Sequence, residues 1–340
     1  MTAATWTTLA PVPAPLLPAQ GLGADAARRT PLLHELVAAR PWADLTWPQL
    51  LDALVALGRT DIPLARLTEG HVDALRILRQ AGRAPIPGAV YGVWASRSHA
   101  TGVQATPAGD GWRLDGTLRF ASGVGVLDRA LLPVWLDDER SVLLDVDVSS
   151  WTGDAASWHT PAMLASQSWT VRVADVQVPA DAQVGEEGWY LGRPGFFPGG
   201  VGVAAVWAGG AVRVADLTAR ATEGAPPAPA RVVRWGRVRT EIGSAAALLA
   251  TAGVALEVSE QDPAGSPARG AGGRGQELST EVRAGVARAA RAILAECHAL
   301  AGPAGLAYDP DLAQAVADLD LYVAQQSRDG DEGYLGGLPR

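Results

Sequence analysis

Glu69-Gly70-His71 sets a carboxylate two residues from an imidazole, the groups most used for acid–base catalysis. On a helix, residues two apart point about 200° apart. The two side chains therefore do not meet, and the spacing predicts separate structural roles. Gly200-Val201-Gly202-Val203-Ala204-Ala205 fits G-x-G-x-x-A, a turn that seats a pyrophosphate on a helix N-terminus. That turn needs a strand directly before it, and Pro194-Gly195-Phe196-Phe197-Pro198 is no strand, so close helix packing accounts better for these glycines. Arg231, Arg234, Arg237 and Arg239 crowd around Trp235. Forked guanidinium groups can hold the phosphates of a cofactor, and equally can form a solvated basic face or salt bridges between subunits. His34, His71, His99, His159 and His298 show no metal-ligand spacing. The sequence holds no G-x-S-x-G, no H-E-x-x-H and no paired cysteines, so neither serine-hydrolase nor zinc-hydrolase chemistry has a motif behind it.

These residues need a scaffold, and composition bounds it. The chain has 340 residues, is 48% hydrophobic and 19% charged, and carries a net charge of −8. That supports a sizeable core in one to three domains. Every basic side chain is Arg, and the acidic balance argues against a nucleic-acid partner. Cys297 is the sole cysteine, so no internal disulfide is expected and a cytoplasmic setting is favoured. Its place in a helical pattern reads as a small buried hydrophobe. No apolar run reaches the ~20 residues of a membrane span, so no membrane partner is expected. Residues 1–20 are Pro-rich and lack a signal-peptide pattern; they read as an ordered arm or a loose tail.

Helical periodicity opens the chain. Thr30-Pro31, Thr46 and Asp61 read as helix starts, with apolar stripes at Leu32, Leu33, Leu36, at Leu50, Leu51, Leu54, Leu57, and at Leu64, Leu67, Leu75, Leu78. Gly58 reads as the end of the second helix. Strand signals follow. Val103 to Thr106, Trp112 to Leu114 and Thr117 to Ala121 are separated by Asp110-Gly111 and Asp115-Gly116, both suited to two-residue turns. Ala130 to Leu136, Ser141 to Val148 and the alternating Trp169 to Ala174 complete the set, which favours an antiparallel sandwich or small barrel. Helical patterning then resumes over about 201–221, 232–259, 278–301 and 310–327, the last with Asp309 as N-cap and Pro310 behind it. The Gly-rich stretch 262–276 reads as a mobile loop. The expected class is an α+β multi-domain chain: a helical domain over 1–88, a β domain over 89–195 and a four-helix bundle over 196–340.

This layout resembles the acyl-CoA dehydrogenase family. Asp110-Gly111-Trp112-Arg113-Leu114-Asp115-Gly116 is similar to that family's hairpin, and Asp175-Val176-Gln177-Val178-Pro179-Ala180-Asp181 to its strand end. Phe120-Ala121-Ser122-Gly123 stands where the family has an aromatic residue, a small one, then Thr or Ser. Leu64 to His71 is similar as well. The resemblance implies FAD between the β domain and the bundle, with its ring held by main-chain groups of Tyr91–Ala95 and Phe120–Ser122. It implies that Val93 and Trp94 line the ring, that Phe120 packs on it, and that the Ser122 hydroxyl donates to its N5 edge. It also implies a homodimer or homotetramer and a small-molecule substrate such as acyl-CoA.

The departures are specific. The family's Arg-x-x-Phe-Gly is replaced by ATEGAPPAPARVV, leaving Arg231 and Arg234 as the nearest phosphate ligands. The segment after Tyr91 lacks the usual Thr-Glu-Pro and Gly-Ser-Asp. Alignment on Asp318 puts Gln325 or Gln326 where the family has its catalytic carboxylate, and an amide accepts no proton at neutral pH. Glu257 and Glu260 lie near an alternative position for that base. A histidine that related flavin monooxygenases have near Gln326 is missing too. Three readings stay open: an acyl-thioester dehydrogenase, a catalytically degenerate structural or binding subunit, and a flavin monooxygenase.

Overall fold

Caps and charge pairs fix the first helices of the computed structural model, which describes residues 5–17, 25, 27–97, 101–226, 228–261 and 273–339. Helix α1 is Thr30–Ala38, α2 is Trp47–Thr60 and α3 is Ile62–Gln80. Thr46 and Gln49 form a reciprocal capping box on α2. Asp61 caps α3 through the Leu64 N–H at 2.9 Å and pairs with Arg29 at 2.6 Å, both side chains almost wholly enclosed. Gly58 does not end α2; it lies inside it. A Cβ there would sit 2.4 Å from the Val206 carbonyl oxygen, and one on Gly209 would sit 2.1 Å from that of Val55. The two glycines let α2 cross helix α5 (Phe196–Ala221) backbone to backbone.

The strands are β1 (Tyr91–Val93), β2 (Gly102–Ala108), β3 (Gly111–Ala121), β4 (Arg129–Trp135), β5 (Ser141–Asp147), β6 (Trp169–Pro179) and β7 (Gln183–Val184). They form one sheet in the order β6-β3-β2-β4-β5-β7, with β1 on β4. The expected all-antiparallel sandwich or barrel is corrected by two parallel pairings, β1 with β4 and β2 with β4. Strand periodicity reports which face a residue occupies, not which strand lies beside it. The β2–β3 turn is centred on Gly109-Asp110, one residue before the expected Asp110-Gly111; Gly109 takes the positive φ, of 59°. Asp115-Gly116 is no turn at all. Gly116, at φ 153°, lies in a continuous β3, where its Cβ would meet the Gly102 carbonyl oxygen at 2.2 Å; the bulge opposite Asp115 is on β6, at Ala174-Asp175.

A short helix α4 (Trp189–Gly192) leads to α5, α6 (Pro229–Gln261), α7 (Gly273–Tyr308), α8 (Pro310–Val323) and α9 (Arg328–Gly336). The G-x-G-x-x-A motif lies within α5, and Gly202 there faces Leu54 and Glu69. Asp309 caps α8 through the Leu312 N–H at 3.0 Å, as its position before Pro310 predicts. The expected helix 310–327 stops at Val323, and α9 begins after Ser327. Helix α7 breaks at Gly302, where φ is 62°. Of the expected mobile loop, 273–276 are helical and 262–272 lie outside the described residues, as does His99. By length and composition α5 and α6 could each cross a membrane, although no 20-residue apolar run stands in the sequence. The most apolar window of α5 is 78% buried in the protein and that of α6 39%. One apolar core runs from Leu33 through Val103 and Leu118 to Val206, Ile293 and Val323, so sheet and helices share an interior.

Candidate functional site

Four non-glycine residues among those described have left-handed backbone: Phe120 (φ 58°), Met163 (54°), Gln167 (46°) and Asp175 (53°). Such residues cost about 1–3 kcal/mol each and persist where their surroundings enforce them. Three of the four belong to one place. Phe120 is at the end of β3, where the register to β6 shifts. Met163 and Gln167 flank the single turn Leu164–Ser166, which packs on α3. What enforces the turn is α8. The Met163 N–H donates to Asp318 Oδ1 at 2.5 Å, and Gln314 Nε2 donates to the same oxygen at 2.8 Å and to the Pro161 carbonyl at 3.0 Å. Burial pushes the Asp318 carboxyl up to about 6, against these two hydrogen bonds.

A chain of three buried serines joins the turn to the strand end. Ser166 Oγ donates to the Met163 carbonyl at 2.7 Å, Ser166 and Ser168 hydroxyls are 2.7 Å apart, and Ser168 and Ser122 hydroxyls 2.8 Å apart. Each hydroxyl has one proton. Ser166 gives its proton to the carbonyl, so Ser168 must donate to Ser166, and Ser122 must donate to Ser168. The Ser122 oxygen is left with lone pairs only. With that direction of the chain it presents an acceptor to a ligand, where the family resemblance implies a donor.

Trp94 is buried and its indole N–H donates to the Ser122 carbonyl at 2.8 Å, so the two segments expected to frame a ligand are joined directly. Its ring meets that of Trp151 at 6.1 Å. Val93, next to it, is half-buried and packs with Tyr91. The Phe120 ring is 56% exposed and lies edge-on to Trp158 at 6.0 Å, an apolar plate open to solvent. Tyr91, at the head of β1, donates its N–H to His71 Nδ1 at 3.0 Å, and burial holds that imidazole neutral by lowering its pKa to about 4. His71 thus ties α3 to the strand that carries Val93.

The remaining expected residues lie elsewhere. Arg234 and Arg237 hold Glu296 of α7 at 2.7 and 3.0 Å, and Arg231 donates to the Pro226 carbonyl at 2.9 Å. They are engaged within the bundle, not with the sheet. The Gln326 amide accepts from Arg291 and donates to Asp331, each at 2.8 Å. Glu257 accepts the Trp47 N–H and Glu260 bridges Arg76 and Arg79. Burial pushes the Cys297 thiol up to about 11. Among the described residues no cluster of His, Cys, Asp or Glu could hold a metal ion.

A second buried polar region lies between α3, α5, α7 and α8. Glu69 pairs with Arg66 at 2.9 Å and not with His71, and Asp73 faces Arg193 at 3.8 Å. Burial raises the pKa of both carboxylates despite the arginines. Arg283 covers the Trp207 ring at 4.9 Å, and the Trp207 N–H and Tyr322 hydroxyl have no hydrogen-bond partner among the described residues. Sequence spacing did not mark Ser166, Ser168 or Met163. The trace they leave is the short polar stretch before β6, Ala165-Ser166-Gln167-Ser168.

No protein-family model and no curated protein matches the sequence. Solved structures do match in fold. TdsC from Paenibacillus sp. A11-2, a dibenzothiophene monooxygenase, in complex with FMN and indole, has a TM-score of 0.74 at 17% identity over 92% of this chain and 88% of that one. Methanesulfinate monooxygenase MsuC from Pseudomonas fluorescens has a TM-score of 0.74 at 13% identity over 92% and 90%. XiaF from Streptomyces sp., in complex with FADH2 and glycerol, has a TM-score of 0.72 at 19% identity over 92% and 87%. At these identities the likeness establishes a shared fold, of the acyl-CoA dehydrogenase type that the sequence layout resembles.

Proposed function

We propose that this chain is a flavin-dependent monooxygenase that works with reduced flavin, FAD by the resemblance, bound along Val93–Trp94 and Phe120–Ser122. The observation that carries this reading is the direction of the serine chain. Oxidised flavin offers only an acceptor at N5, whereas reduced flavin has an N–H there, and the Ser122 oxygen can only accept. The exposed Phe120 plate suits the face of a flat ring, and three left-handed residues around one buried turn mark a place held for function. Fold neighbours crystallised with FMN or FADH2 support the same cofactor class.

A reduced flavin supplies two electrons to oxygen, one atom of which enters the substrate while the other leaves as water. The protein's part is to bind, orient and exclude water. Asp318 holds the Met163 turn against the strand end, and Trp94 and Trp151 close the interior side. Acyl-thioester dehydrogenation has less support, because the Gln326 position offers an amide already engaged on both sides. In the same reading the chain is cytoplasmic and self-associates through α6, which leaves Val254 and Val258 about 60% exposed.

Titration of the protein with FAD and FMN, each oxidised and anaerobically reduced, tests the proposal. Tighter binding of the reduced form is expected. Failure of either flavin to bind in either state would leave the structural-subunit reading in its place.

A further inference from the structure

A cavity of about 230 Å³ lies between α2, α5, α6 and α7, on the far side of α5 from α3. No residue of the sheet lines it, so it is separate from the candidate redox site. Its cause is legible in side-chain size. Ala211 of α5, Ala245 of α6 and Ala290 of α7 line it with side chains too short to fill it, beside the larger Leu249 and Ile293. The outer wall is the arm at Ala10–Pro13, and polar bonds nail that arm down on both sides. Trp6 Nε1 donates to Asp216 at 2.8 Å, Arg59 to the Pro13 carbonyl at 2.9 Å, and the Leu16 N–H to Thr60 at 2.8 Å.

Protein interiors are close-packed, and the lining of an empty space forfeits dispersion contacts. A dry apolar cavity of about 150 Å³ already takes up benzene. This one is larger, and among the described residues that line it the single ionisable group is Asp52, at the solvent edge. A carboxylate there disfavours a ligand ending in an anion and favours one that is neutral or donates a hydrogen bond.

We propose that this cavity is a binding site for a neutral apolar molecule of bicyclic or medium-chain size, with any donor group placed at Asp52. The proposal does not depend on flavin binding.

Naphthalene, 1-octanol and octanoate added to the full-length chain test it, read by methyl NMR of Ala211, Ala245 and Ala290 and by calorimetry. Naphthalene and 1-octanol are expected to shift these methyls saturably, with octanoate at least tenfold weaker at pH 8. Asp52→Asn should narrow that gap, and Ala245→Leu should weaken naphthalene at least tenfold. Because Ala245→Leu could misfold, the wild-type methyl shifts decide independently. Unshifted methyls at saturating naphthalene, or octanoate binding as tightly as 1-octanol, would overturn the proposal.

Discussion

The two buried polar regions of this chain are built on opposite plans. Along α3, Asp61, Glu69 and Asp73 meet Arg29, Arg66 and Arg193 as carboxylate–guanidinium pairs. At the junction of sheet and bundle, neutral hydroxyls and one carboxylate meet on left-handed backbone. In the first, charge answers charge and joins helix to helix. In the second, the hydroxyl chain runs inward from Ser122 and leaves lone pairs on that oxygen for a ligand to meet. Buried ions hold a fold together; a directed chain of hydroxyls can also choose between two states of a guest.

The contrast can be pressed experimentally. Asp61→Ala removes a cap and strands Arg29 inside the protein, and should cost about 3–5 kcal/mol in urea unfolding. A loss under 1 kcal/mol would show that the α3 charges are not structural glue. The junction should respond to pH. Asp318 is protonated more readily folded than unfolded, so its stabilising share is complete below its ordinary range near 3.8 and disappears as pH rises through about 6. Asp318→Asn keeps the acceptor for Met163 and should therefore gain stability over wild type, by up to about 2 kcal/mol, as pH rises from 4 to 6.5. Parallel pH profiles for the two proteins would contradict that environment. Ser168→Ala should have the least effect on folding, about 1 kcal/mol, yet it frees the Ser122 proton. The ratio of affinities for reduced over oxidised flavin should then fall several-fold, and an unchanged ratio would remove the serine chain from the explanation.

The helices were legible because 3.6-residue periodicity, Thr46, Asp61 and Asp309 are local signals, and local signals survive in any context. Gly58 misled because its purpose lies on another helix, where Val206 presents a carbonyl. The sheet was half legible. Alternation at Trp169 to Ala174 gives a strand, but nothing near Gly102–Ala108 announces that β4 will lie parallel to it. For the site, the resemblance led to Trp94 and Ser122, and the structure joins them by a hydrogen bond. It could not reveal the proton's direction, because Ser122 and Ser168 stand 46 positions apart and the deciding acceptor is the Met163 carbonyl.

Strand β4 is hydrogen-bonded to β1, β2 and β5, two of them in parallel. During synthesis, the edges of β1 and β2 therefore wait, unpaired on that side, until residues 129–135 have left the ribosome. Closing those long connections is entropically slow compared with winding the helices on either side. The sheet should thus be the late and aggregation-prone step of folding, and a chain cut short before β4 should be more hazardous to a cell than one cut short after it.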